Sequence, residues 1–383
     1  MAAAAVCLCG FALSAEVVAP EKIRDDAAKY WDLAKLSAPP AYRPADFADS
    51  KVDGMQDILF DGMGPGDKPA PVFAYLSVPS GPVPEGGFPG VVLAHGGGGT
   101  AFAEYVRLYN SYGYAVIALD WYNQRPLNTC TPAKPVSVPL ADGKRHNNIF
   151  NVANIILSHS LLRSLPEVDP DNIALVGLSW GSWYTAMVTA VDHRFKGAVL
   201  IYCGDLRNDT EMENFDSMIN GRFLHQSKVP MYWVCGATDY HAHPRSLQAA
   251  FDEAPTYKGH SMIGRLSHGH GGFALSACKR YAGVILKGLP AYPKLSPVKV
   301  SRGRAQVQIV EPGLGVKRAV LYYTLDGKSR PDKRVWSSIP AEIRGKTIFA
   351  KLPEGVRQFF FSAYDETSVD EICCGSSNVF TVN

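Results

Sequence analysis

The sequence predicts an α/β fold, a doubly wound and mostly parallel sheet followed by a small C-terminal β-sandwich. Three observations carry this expectation. Residues 88–94, 115–120, 174–178, 198–202 and 231–235 are near-continuous apolar runs, and strands of that kind need cover on both faces. Segments with helical spacing alternate with them, as in parallel strands joined by crossover helices. After Lys287-Gly288-Leu289-Pro290-Ala291-Tyr292-Pro293, a linker by composition, the helical period disappears and short strand candidates take over. At 383 residues the chain exceeds what one hydrophobic core usually serves. The expected division is a signal segment over 1–15, the α/β unit over 16–294 and the sandwich over 295–383.

Taken in order, 20–36 reads as a helix with Ile23, Ala27, Tyr30, Trp31 and Ala34 on one face. A strand over 72–78 precedes the one over 88–94. The next helix, 101–112, carries Phe102, Tyr105, Val106 and Tyr109 as a buried stripe. Residues 123–146 are rich in proline and polar side chains without a clear period, which suits a rim loop that shapes a pocket. A helix over 148–162 leads to the strand at 174–178, and another runs from about Gly272 to Leu286. In the C-terminal part, 305–310, 318–323, 347–350 and 358–363 are strand candidates punctuated by Asp326-Gly327 and Pro353-Glu354-Gly355. Packing against the larger unit or dimer formation is the expected job of such a sandwich, since it shows no obvious sugar-stacking platform.

The strand at 174–178 ends in Gly177-Leu178-Ser179-Trp180-Gly181. A serine on a sharp strand-to-helix turn needs small neighbours, because side chains there would collide across the turn. Ser179 is therefore the leading nucleophile. The strand at 88–94 runs into His95-Gly96-Gly97-Gly98-Gly99-Thr100, where successive glycines let the backbone turn tightly and aim N–H groups at a developing negative charge. The backbone N–H groups of Trp180 and Gly97 are the expected oxyanion donors. A phosphate cradle is the competing reading, but the Gly-Lys-Ser/Thr ending it requires is missing. Asp239 follows the strand at 231–235, at the sheet edge where catalytic groups of open parallel sheets collect, and is the favoured acid. Asp205, one strand earlier, is the alternative. His268 and His270 share one glycine-rich loop. His268 is favoured as the base because it follows the apolar segment 262–266 at once, while His270 suits loop support or the pocket wall. His95 precedes the glycines and belongs with that loop's own hydrogen bonding. Trp121, Tyr122 and Trp180 suit an aromatic pocket wall or packing beneath the 123–146 loop. His159 reads as a packed or solvated helix residue. His241-Ala242-His243 hints at zinc, yet no Glu or Cys spacing completes a site, so neither metal nor cofactor is expected. The serine, acid and late histidine follow in a chain order that suits acyl transfer through a Ser-His-Asp arrangement.

Composition is ordinary for a soluble protein, with 46% hydrophobic and 19% charged residues. A net charge of +2 and the lack of charge runs or aromatic ladders argue against a nucleic-acid partner. Residues 1–15 combine an apolar core with a small-residue end, as in an export signal, although no Lys or Arg precedes Lys22. Secretion or a periplasmic location is expected, with no membrane insertion of the mature chain. Six cysteines would remain after cleavage at Ala15. Cys203 and Cys235 end core strands and Cys373-Cys374 are adjacent, so the spacing is no disulfide framework.

The stretches 95–102, 177–181, 233–239 and 268–270 together resemble bacterial α/β-hydrolases grouped with acetyl xylan esterases, cephalosporin-C deacetylases and dienelactone-hydrolase-like proteins. The resemblance spans most of the chain. It implies a serine nucleophile, an acid after the seventh strand and a late histidine, which fall on Ser179, Asp239 and His268. Ser182 stands where the family often has a further glycine, and Ser179 departs from the cysteine of dienelactone hydrolases proper. Together with export, the resemblance implies a small-molecule or oligosaccharide ester as substrate, with acetylated xylan fragments ahead of feruloylated ones. A serine peptidase is the competing class. The sequence assigns no oligomeric partner.

Overall fold

The computed structural model describes residues 24–45, 53–64, 69–121, 138–139, 145–146, 149–204, 223–241 and 244–382. The expected signal segment, Tyr122, Asp205, His243 and most of the 123–146 loop lie outside them. Nine strands form the main sheet: β1 (Tyr42–Pro44), β2 (Gln56–Gly62), β3 (Ala70–Ser77), β4 (Phe88–Ala94), β5 (Ala115–Leu119), β6 (Val168–Leu178), β7 (Gly197–Ile201), β8 (Met231–Gly236) and β9 (Lys258–Ile263). Their order is β1-β2-β3-β5-β4-β6-β7-β8-β9. From β5 to β9 every pairing is parallel, and β1 to β3 add an antiparallel flank. The crossover between β5 and β6 returns the chain to the far side of β4. Successive strands therefore diverge on either side of β4, opening a crevice at the C-terminal ends.

The apolar runs become strands because each side chain finds cover on its own face. Val92, Leu175, Leu200 and Trp233 face one core, which they share with α2 (Ile149–Arg163) and α3 (Trp180–Val191). Val91, Val176, Val199 and Val234 face the other, with α1 (Ala103–Ser111) and α5 (Ser276–Lys287), while α4 (Pro244–Glu253) makes the β8–β9 crossover and packs Leu247 and Ala250 into the first core. Helix α3 is buried all round, its Met187 and Val188 both within the first core.

Three expectations need correction. The described part of 20–36 forms only two short turns, Ala27–Lys29 and Leu33–Leu36, instead of one helix. Asp26 and Asp32 accept hydrogen bonds from backbone N–H groups two residues on, at Ala28 and Ala34, and such local bonds compete with continued helix. The last helix starts at Ser276, because Gly272 N–H donates to Gly269 O and tightens His270–Ala274 into a 3-10 turn. In α1, Val106 and Tyr109 are fully buried, whereas Phe102 and Tyr105 are only partly so. Strand β2 went unforeseen. Its Ile58 and Phe60 alternate with half-exposed residues in the period of two that a strand with one covered face requires.

Antiparallel strands begin at Lys294 and build two five-stranded sheets. The first contains 304–311 and 347–351, and the second contains 318–324 and 358–364. Val307, Leu321, Ile348, Phe359 and Phe361 fill the space between them. The other face of the second sheet presents Val320, Tyr322, Phe360 and Tyr364 to the same core that holds Trp233. A side-chain hydroxyl extends the union: Met262 N–H donates to Ser376 Oγ at 3.0 Å, which donates to Met262 O at 3.1 Å. Cys203, Cys235, Cys278, Cys373 and Cys374 are all buried.

Two buried histidines make this fold sensitive to acid. Burial holds His159 and His260 at a pKa of about 4, below the ordinary 6.5. Between pH 6.5 and 4 the unfolded chain binds protons that the folded chain refuses, so stability falls as pH drops through that window. Each histidine accounts for about 3 kcal/mol at the acid end. Urea unfolding of the His159→Leu variant at pH 7 and pH 4.5 should show a smaller acid loss than the parent chain. An equal loss would remove His159 from this account.

Candidate functional site

Ser179 stands between β6 and α3 with φ 54° and ψ −119°, a conformation that costs energy for any residue bearing a Cβ. The turn is sharp because α3 starts at once: Ser182 and Trp183 donate their N–H groups to Ser179 O at 2.8 and 3.1 Å. It also leaves no room for side chains on either side. A Cβ on Gly181 would enter Ala94 O, and one on Gly177 would enter Thr185 Oγ1. The serine itself is 6% exposed at the floor of a pocket of about 200 Å³.

His268 reaches this serine and not by sequence proximity. Its Nε2 lies 2.7 Å from Ser179 Oγ and its Nδ1 lies 2.8 Å from Asp239 Oδ2. With the proton on Nδ1, the ring donates to Asp239 and accepts from the serine hydroxyl. Asp239 is fully buried, and its other oxygen accepts the His241 N–H at 2.8 Å, which fixes the carboxylate's rotation. The loop carrying His268 is tied down at two points. Thr238 Oγ1 donates to Leu266 O at 2.9 Å, and Tyr202 OH donates to Ser267 O at 3.2 Å. The Tyr202 ring also packs against His268 with centroids 4.7 Å apart. Burial pushes the Tyr202 phenol well above its ordinary pKa, which keeps it a neutral donor.

The other sequence candidates fall around this chain of contacts. His270 sits against the glycine loop, hydrogen-bonded to Gly96, and burial and the nearby His95 lower its pKa. His95 donates from Nδ1 to Gly96 O at 2.7 Å and stacks on Trp121 at 4.6 Å. Trp121 Nε1 donates to His95 O at 2.8 Å. Trp121 thus braces the glycine loop from beneath, and the described pocket lining does not include it. Gly97 does line the pocket, and a Cβ there would strike the Trp180 indole. Trp180 is the first residue of α3 and lines the same pocket. Among the described residues no group of three His, Cys, Asp or Glu could hold a metal, and no helix is long and apolar enough to cross a membrane.

Sequence reasoning did not place Trp183, His241, Tyr240 or Arg330 at this site. Trp183, one turn along α3 from Trp180, joins it on the pocket wall with ring centroids 4.8 Å apart. The spacing of the two tryptophans was the available signal. His241 lines the pocket with its ring 4.7 Å from that of His268, and Tyr240 lies 3.8 Å from His241. The Arg330 guanidinium, from the sandwich, then lies 5.0 Å over the Tyr240 ring. No local pattern announces that approach, since Arg330 is 90 positions beyond Tyr240.

A model of the alpha/beta hydrolase family matches residues 91–315, more than half of the chain. The chain belongs to that family. Comparison with curated proteins finds no significant match. Among solved structures, the hydrolase is similar to acetyl xylan esterase from Paenibacillus sp. R4, at 18% identity and a TM-score of 0.56, over 70% of this chain and 97% of that one. It also matches acetyl xylan esterase 1 from Thermoanaerobacterium sp. JW/SL YS485, at 18% identity and a TM-score of 0.46, over 64% of this chain and 89% of that one. At such identities the likeness describes the fold.

The histidine pair provides a test of the site's electrostatics. Burial lowers the His241 pKa, and the charges of His268 and Arg330 lower it further against the opposing Asp239. Removing a cation that disfavours protonated His241 must raise that pKa. NMR titration of the imidazole signals should therefore show His241 in Arg330→Ala titrating at higher pH than in the parent. An unchanged titration would mean that the sandwich exerts no field on the site.

Proposed function

We propose that this hydrolase is a serine carboxylic-ester hydrolase acting through Ser179, His268 and Asp239. One observation carries the reading: a single imidazole spans the serine hydroxyl and a buried carboxylate at 2.7 and 2.8 Å. Ser179 Oγ attacks the ester carbonyl as its proton passes to His268 Nε2, and Asp239 holds the ring in the required tautomer and stabilises the imidazolium. The backbone N–H groups of Trp180 and Gly97 stabilise the oxyanion. His268 then returns the proton to the departing alcohol. Water, activated by the same imidazole, releases the acyl group and regenerates the serine. No step calls for a metal or an organic cofactor.

The acyl group is small, and acetyl is the assignment. The described pocket, at about 200 Å³, lies below the 300–1,000 Å³ or so of typical ligand sites. The half-buried Trp180, backed by the buried Trp183, gives it aromatic surface suited to a sugar ring on the alcohol side. The fold shared with acetyl xylan esterase from Paenibacillus sp. R4 points the same way. Acetylated plant-polysaccharide fragments such as xylan oligosaccharides are accordingly the substrate class, in a secreted or periplasmic setting.

Two measurements test these assignments. Ser179→Ala should lower p-nitrophenyl acetate turnover by three orders of magnitude or so while the fold is retained. His268→Ala should match that loss, whereas His270→Ala should keep a much larger share of activity. Near-parental turnover in Ser179→Ala would reject the nucleophile, and a greater loss at His270 would transfer the base role. Mass spectrometry of products from acetylated xylooligosaccharides, methyl ferulate and a dipeptide panel decides the acyl group. Acetate release is expected. Release of ferulate alone would replace acetyl, and cleavage confined to peptides would overturn the esterase reading.

A further inference from the structure

The glycine loop beside Ser179 is held from behind. Strands β4 and β5 pair in parallel with Ala94 opposite Leu119, so the next residue of each, His95 and Asp120, meet at the C-terminal edge of the sheet. Both side chains are buried there, with His95 Nε2 facing Asp120 Oδ1 at 3.4 Å. Trp121 stacks on the His95 ring at an interplanar angle of 10°. The other ring nitrogen, Nδ1, lies 2.7 Å from Gly96 O. A carbonyl oxygen can only accept, so the proton of that bond belongs to Nδ1. Both nitrogens thus face oxygens, an arrangement that a ring carrying a proton on each satisfies.

Gly96 O is a meeting point for donors. Beside His95 it accepts the Gly99 N–H at 3.1 Å, which closes the loop into a tight turn, and the His270 ring bonds to the same backbone. The consequence lies one bond further along the chain. A peptide unit is planar and trans, so the Gly97 N–H is directed opposite to the Gly96 carbonyl. With that carbonyl turned to the buried His95, the N–H turns the other way, and Gly97 lines the pocket that holds Ser179. Two successive glycines offer little resistance to a flip of the peptide between them. A flip would direct a carbonyl oxygen where the N–H had pointed, and an oxygen there repels an oxyanion. The donors on Gly96 O prevent the flip, and they also polarise the peptide, which strengthens its N–H as a donor.

We propose that His95 is a positioning residue for acyl transfer: by holding Gly96 O through Nδ1, it aims the Gly97 N–H at the oxyanion formed when Ser179 attacks. Asp120 and Trp121 seat the ring for this task. The proposal rests on the serine-esterase reading of the site. It differs from general support of the loop because it depends on one donor atom and not on the volume of the ring.

The test combines p-nitrophenyl acetate kinetics with nitrogen NMR of the histidine rings, both on the full-length chain. His95→Leu, apolar and without a donor, should lower kcat about 100-fold while KM stays within about twofold, because an oxyanion donor acts in the transition state and not on bound substrate. His95→Asn can place an amide N–H where Nδ1 stands and should recover about tenfold of that loss, although it fills the apolar side of the site less well. Packing alone would rank the two variants in the reverse order. Parental kcat in His95→Leu overturns the proposal, and so does His95→Asn no faster than His95→Leu. If neither variant folds, the parent decides: NMR of the unliganded chain should show a proton on His95 Nδ1, and a ring protonated at Nε2 alone overturns the proposal. Near-parental turnover in Ser179→Ala would instead reject the nucleophile, and the ring NMR, which needs no turnover, separates that failure from this one.

Discussion

The close passage of one backbone over another at the head of the sheet governs this structure. Gly181, in the first turn of α3, lies against the carbonyl of Ala94 at the end of β4, with no space for a side chain between them. That contact brings the glycine loop after β4 to the side of Ser179 and sets the angle at which α3 leaves the sheet. The positive φ of Ser179 is its local cost, and the fully buried packing of α3 is what sustains it. The loop on one side and the start of the helix on the other then border one small pocket. The pocket, the loop bracing by His95 and Trp121, and the reach of His268 all presuppose that approach.

A second constraint acts at right angles to the first. The loop from β9 to α5 must return across the ends of β7 and β8 to bring an imidazole to the serine. It is guided by contacts from both of those strands' ends, through Tyr202 and Thr238. Asp239, the loop anchors and His268 thus form one assembly at the strand ends. The fold supplies its geometry, and the buried carboxylate supplies its electrostatic bias.

The sequence made the elbow legible because everything the turn requires lies within five residues. The main strands were equally legible, since Val91 and Val92 or Leu175 and Val176 can be apolar together only where both faces are covered. The choice between His268 and His270 was not written locally. Two residues in one glycine-rich loop differ little in pattern, and what separates them in space is the anchoring of Ser267 and Leu266 by distant side chains. Trp183, His241 and Arg330 were missed for the same reason: they matter through meetings of separate segments. The helix expected over 20–36 failed for a different one. Its apolar spacing was real, and Ala27 and Trp31 are indeed buried, but Asp26 and Asp32 redirect the backbone N–H groups that a continuous helix would need.

The shared core of sheet and sandwich bears on how the chain comes into being. Tyr322, Phe360 and Cys374 lie in the same buried cluster as Trp233, and Ser376 completes the hydrogen bonding of Met262 on the outer strand of the sheet. During synthesis the α/β unit emerges first, with β9 as an open edge beside uncovered apolar surface, the state in which nascent chains are most prone to pair with one another. Ser376, more than a hundred positions beyond Met262, is what closes that edge. The segment around Ser376 therefore fastens the sandwich to the sheet, and a chain cut short before it would keep the sharp turn at Ser179 and leave that flank exposed.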